Sequence, residues 1–156
     1  MRRSLLLAIA IGASVAAVSG SAGAFTCTVS ATGVNFGVYN PLSGTPDDAT
    51  GTVTLTCNLL VGLFNSWTVA LSTGNGSYSP RLLKNGANSL SYNLYTSASH
   101  ANVWGNGSGS TTLVSDQALL VIGANINTYT VYGRIPAGQD AAAGSYTDTI
   151  VVTVDY

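Results

Sequence analysis

The chain has 156 residues, 7% of them charged and 46% hydrophobic, with no glutamate and a single lysine, Lys84. Charged helix formers such as glutamate and lysine are therefore nearly missing while β-branched residues are common, which points to β structure. A length that fits one domain with a real core, and six aspartates against few cations, exclude the clustered basic surface that nucleic acid requires.

In chain order, Arg2 and Arg3 precede an apolar run over residues 5–18 and then Ala22-Gly23-Ala24. That is the pattern of a secretory leader with an A-x-A cleavage site, and the run is too short for a comfortable membrane span. The expected division is a leader over 1–24 and one domain over 25–156. The chain is then exported through the periplasm, to the cell surface or beyond. After cleavage, Arg81, Lys84 and Arg134 face six aspartates, so solubility falls to hydroxyls and amides, which suits an assembled protein. Two cysteines remain in an oxidising compartment, Cys27 and Cys57, and an even pair there predicts a disulfide. A metal or catalytic thiol would want histidine partners or a C-x-x-C spacing, and neither occurs.

Alternation of period two then predicts strands. Cys27, Val29 and Ala31 alternate with hydroxyl residues; so do Val53, Leu55 and Cys57; so do Trp67, Val69 and Leu71. Leu90, Tyr92 and Leu94 form a fourth set, and Tyr129, Val131 and Ile135 a fifth. Turn clusters such as Asn40-Pro41, Gly74-Asn75-Gly76, Asn85-Gly86 and Pro136-Ala137-Gly138 separate them. Asp47-Asp48 reads as part of a turn region. The apolar run 118–122 reads as a buried strand. The last strand is the strongest: Ile150, Val152, Val154 and Tyr156 share one face, and the alternation runs to the final residue. Six or seven such strands without helical period predict an all-β antiparallel sandwich.

One connection is unusually apolar. Residues 59–67 include Leu59, Leu60, Leu63 and Phe64, whereas connections ordinarily face water. Apolar residues are more often core; in that case Leu59 to Val61 prolong one strand and Phe64 opens the next. The other outcome is an exposed adhesive loop.

Several stretches carry a family likeness. Cys27 followed by Gly33-Val34-Asn35-Phe36-Gly37-Val38-Tyr39-Asn40-Pro41 resembles the opening of a spore coat protein U domain. Residues 71–76, 90–95, 103–105, 132–139 and 144–148 continue the likeness in order across the mature chain. The resemblance implies a subunit of archaic chaperone–usher pili, with an immunoglobulin-like sandwich lacking its last strand. In such pili a periplasmic chaperone fills the gap first, and a neighbouring subunit's N-terminal segment then replaces it after passage through an outer-membrane usher. Under this reading Ile150, Val152, Val154 and Tyr156 border an apolar groove that accepts a donor strand. If the leader is cut after Ala24, only Phe25 and Thr26 precede Cys27, too few to donate a strand; a cut after Ala17 adds only a Gly- and Ser-rich arm. The chain then resembles an acceptor without a donor arm, at or near the pilus tip, although tip subunits of this class carry a second domain for which there is no room. The alternative is a free-standing secreted coat or matrix protein whose sandwich is closed by its own chain.

Enzyme readings find little support. His100 is the single histidine, it lies in a polar stretch, and no G-x-S-x-G elbow occurs. Gly105-Asn106-Gly107 precedes no helix, so a phosphate loop is not expected. No cofactor, metal, small-molecule substrate or nucleic acid is expected.

Overall fold

The computed structural model describes residues 26–59, 65–118 and 123–156. All regular structure among them is strand: β1 (Thr26–Thr32), β2 (Asp47–Leu59), β3 (Asn65–Leu71), β4 (Arg81–Asn85), β5 (Asn88–Tyr95), β6 (Val114–Ala118), β7 (Gly123–Ile135) and β8 (Val152–Asp155). They form two antiparallel sheets. One has five strands in the order β1-β2-β7-β5-β4; the other has three in the order β6-β3-β8.

The alternation sets the layering. In β2, Val53, Leu55 and Cys57 are buried and the threonines between them half-buried. β3 likewise buries Trp67, Val69 and Leu71. These rows face each other across the sandwich and pack with Leu90, Tyr92, Leu94, Trp104, Val131 and Ile135. The outward face of the larger sheet is the complementary row set: Ser30 aligns with Thr54 and Thr128, and Thr32 with Thr52 and Thr130. Cys27 and Cys57 stand opposite each other in the β1–β2 register and are disulfide-bonded, 30 residues apart in sequence. On the chain-entropy account that crosslink stabilises by about 3.5–4 kcal/mol.

Some strand bounds differ from the sequence pattern. β2 and β7 are longer than their alternating cores, and Asp47-Asp48 opens β2 rather than forming a turn; Asp48 lies opposite Arg134 and takes a two-pronged bond from its guanidinium at 2.6 and 2.7 Å. β4 carries no alternation because Arg81, a cation, is fully buried. Ala118 ends β6 and is buried, while 119–122 lie outside the described residues. The last strand is shorter than its pattern. The amide of Val151 donates to the Ser72 hydroxyl at 2.9 Å, and the Ser72 amide donates to the Val151 carbonyl at 3.0 Å. A side-chain oxygen thus takes the place of a ladder carbonyl, and regular pairing starts only at Val152.

The motifs behind the family likeness have structural work. Phe36 and Val34 lie over Gly133, where an added Cβ would come within 2.7 Å of both side chains, so this strand position requires glycine. Gln139 mimics a strand against β5: its amide oxygen accepts from the Ser91 amide and its amide nitrogen donates to the Ser91 carbonyl, both at 2.8 Å. The Tyr39 hydroxyl accepts from the Gln139 amide and donates to the Pro136 carbonyl, which pins the loop after β7.

Candidate functional site

Each sheet ends in a strand that comes from one end of the described chain: β1 closes the larger sheet and β8 the smaller. Their inward rows differ from their neighbours. Val29 and Ala31 stand opposite Leu55 and Val53, which are 0% and 1% exposed. Yet Val29 is 43% exposed and Ala31 is exposed as well. On the other sheet, Val152 and Val154 stand opposite the buried Leu71 and Val69 but are themselves only half-buried. The core is therefore complete one strand in from β1 and from β8, and partly uncovered at those two edges.

Between these edges lies a cleft of ≈ 210 Å³, lined by Ala31, Val34, Phe36, Val53, Leu71, Leu83, Tyr92, Leu94, Val131, Ile150 and Val152. A wider chamber of ≈ 700 Å³ continues it towards the loops 34–41 and 141–148, with Val34, Phe36, Leu83 and Asp148 common to both. Apolar side chains dominate, and apolar surface left in contact with water costs roughly 25 cal/mol per Å².

One charged group reaches the cleft, and it is bonded on each oxygen. Asp148 Oδ2 accepts from the Tyr92 hydroxyl at 2.7 Å; Oδ1 accepts from the amides of Asn75 and Thr149 at 2.9 and 2.7 Å. Burial, then the bond to this carboxylate, pushes the Tyr92 hydroxyl far above its ordinary range, so it stays a donor at any physiological pH. Gly74 makes the arrangement possible: its φ is +62°, and any Cβ there would overlap the Asp148 carboxylate.

Of the four groove residues expected from sequence, Ile150 and Val152 line the cleft and Val154 packs on the core farther along β8. Tyr156 lies past the end of β8 and is 58% exposed. Val34, Phe36, Tyr92 and Asp148 line the cleft as well; alternation alone does not mark them as lining, although all four sit in the motifs that carry the family likeness. The opposing row, Val29 and Ala31, was read only as strand. Leu60, Leu63 and Phe64 of the apolar connection lie outside the described residues. The strands on either side of it are placed: Leu59 stands opposite Gly123, and Asn65 opposite Ala118.

Among the described residues, no group of three His, Cys, Asp or Glu side chains is placed to hold a metal ion. His100 packs edge-on against Tyr95, with Nε2 3.7 Å from Asp48.

The fold and site define a class: a two-sheet antiparallel sandwich of immunoglobulin-like type, in which one edge strand of each sheet, β1 and β8, flanks an apolar cleft. The sequence profile of the spore coat protein U domain matches residues 13–153. Protein U of Myxococcus xanthus is 30% identical, over 79% of this chain and 71% of its own length. The chain belongs to the spore coat protein U domain family. Its fold is similar to that in a crystal structure described as the CsuC–CsuE chaperone–tip adhesion subunit pre-assembly complex from the archaic chaperone–usher Csu pili of Acinetobacter baumannii. The TM-score is 0.56 at 22% identity, over 85% of this chain and 40% of that one.

Proposed function

We propose that this chain is a non-enzymatic structural subunit of a surface pilus, assembled by strand donation, with the cleft between β1 and β8 as the acceptor groove. The observation that carries the reading is the uncovered inward row on both edges: Val29 and Ala31 on one sheet, Val152 and Val154 on the other. An extended segment laid between them gains main-chain bonds along an edge and covers the alternate apolar side chains. In the exported protein that segment comes first from a periplasmic chaperone and then, after the usher, from a neighbouring subunit. The likeness to the chaperone-bound Csu subunit and the membership of a coat-protein family support this reading.

In this proposal the subunit sits at or near the tip. What supports the reading is the likeness to a tip adhesion subunit and the apolar sequence of residues 59–64. In this proposal Leu59, Leu60, Leu63 and Phe64 form a contact surface for apolar material. The domain is taken as residues 25–156 after removal of the leader.

The test is binding of a synthetic strand with alternating apolar residues, followed by its effect on thermal unfolding. The expected result is a rise in Tm that saturates with peptide and is absent in Val152→Asp. Replacing Leu63 and Phe64 by serine should lower retention on a hydrophobic surface and leave the unfolding transition unchanged. The competing reading, a self-complete coat protein, predicts a cooperatively melting monomer that no added strand stabilises.

A further inference from the structure

The outward face of the larger sheet is a neutral lattice of hydroxyls. Two successive rows across β1, β2 and β7 read Ser30–Thr54–Thr128 and Thr32–Thr52–Thr130. Within them the hydroxyls of Thr32 and Thr52 are 2.8 Å apart and those of Thr54 and Thr128 3.2 Å apart. The next row begins Thr28–Thr56 and ends in Ile126, a large aliphatic side chain 66% exposed on a face where its neighbours are hydroxylic. Charge resumes only beyond these rows, at the Asp48–Arg134 pair.

We propose that this face is a self-association surface, and that its occupant is the same face of a second copy of the chain. Three observations favour a copy over another partner. A hydroxyl is donor and acceptor at once, so a hydroxyl lattice is complementary to itself in either strand direction. The lattice carries no charge, whereas the rest of the exported chain is net negative, with six aspartates against Arg81, Lys84 and Arg134; copies repel elsewhere and meet here without charge repulsion. Ile126 supplies an apolar anchor at one margin of an otherwise polar face.

Size decides how the contact works. Three strands about 4.8 Å apart and seven residues long at about 3.4 Å each give about 340 Å² per copy. Twice that is well below the roughly 1,200 Å² at which specific interfaces begin. One pair of faces is therefore weak, and the contact gains strength only when many copies are held side by side. The face points away from the cleft, so the proposal stands independently of the strand-accepting role.

The test displays the exported full chain, with any groove occupant still bound, at high density on beads and measures bead clustering. Wild-type beads should cluster. Beads bearing Thr54→Lys with Thr128→Lys should disperse like blank beads, and so should beads bearing Thr54→Asp with Thr128→Asp. A mixture of the lysine and aspartate populations should cluster again, because opposite charges then meet face to face. Ile126→Ser, a milder change, should weaken clustering with the unfolding transition intact. Dispersed wild-type beads, lysine beads that cluster like wild type, or a mixture that stays dispersed would overturn the proposal. Failure of strand binding with clustering preserved would remove the groove reading and leave this one.

Discussion

The two flanks of the sandwich are closed to different degrees. On the β4–β5 side everything is tied. Arg81 is fully buried, donating through Nε and Nη2 to the Ser72 carbonyl, through Nη2 to the Trp104 carbonyl and through Nη1 to Asn93 Oδ1, at 2.7–3.0 Å. Asn93 in turn donates to the Tyr78 carbonyl, and the Trp104 indole donates to the Val69 carbonyl. Among the described residues no buried side-chain nitrogen or oxygen lacks a partner. On the β1–β8 side the same core rows end in half-covered aliphatic side chains beside a cleft. One flank is closed by hydrogen bonds from its own chain, and the other leaves aliphatic side chains partly in water. One guanidinium bridges segments around both sheets on the first flank, and no comparable tie joins β1 to β8.

The largest effect should come from breaking the closed flank. Arg81→Leu would leave the Ser72 and Trp104 carbonyls and Asn93 Oδ1 without their donor, each at about 1–3 kcal/mol. Loss of at least about 3 kcal/mol is expected in chemical unfolding. On the same scale, Cys57→Ser should cost about 2–5 kcal/mol and lower accumulation of exported protein. Thiol labelling of the unreduced native protein should find neither Cys27 nor Cys57 free.

A matched pair of truncations sharpens the comparison. Leu55→Ala, one strand in from the edge, should cost about 2–5 kcal/mol whether or not a strand is bound. Val29→Ala, opposite it on the edge, should cost well under about 1 kcal/mol in the free chain, because much of that side chain is already in water. Its cost should grow once a donor peptide covers it. Equal costs at the two positions in the free chain would show that β1 is covered after all.

The smallest effect is electrostatic. The Arg134 guanidinium bonded to Asp48 holds that carboxyl below its ordinary value, while partial burial and then Asp48 raise Asp47. A carboxyl depressed in the folded state stabilises above its unfolded pKa and loses that contribution as pH falls through the folded value. A raised carboxyl works in the opposite direction. The two contributions oppose each other and solvent screens the exposed Asp48, so unfolding free energy between pH 5 and pH 3 should change by less than about 1 kcal/mol from this pair. Arg134→Gln should remove the Asp48 part, and added salt should mask it.

Much of the fold was legible in the chain because most strands have one face in a core and one in water. β1, β2, β3, β5 and β7 all announce themselves by strict alternation. β4 did not, since its first residue is a buried cation whose tolerance depends on carbonyls from residues 72 and 104. The cysteine pair needed only number and compartment. Half of the cleft was legible: Ile150 and Val152 could be read from the terminal alternation. Val29 and Ala31 could be read as strand but not as groove, because exposure of an apolar row depends on what fails to pack over it. Phe36 and Asp148 come from irregular segments, where no period marks a lining residue; Gly133 and Gly74, the glycines that admit them, were the available signal.

The central claim is that β1 and β8 jointly accept one added strand. The most direct measurement is residue-resolved amide exchange of the exported protein with and without a saturating extended peptide of alternating apolar residues. Edge amides of β1 and β8 should slow together, while those of β4 and β5 are protected from the start and do not change. Exchange along β1 and β8 that is already slow in the free chain, or that the peptide leaves unaltered, would contradict it.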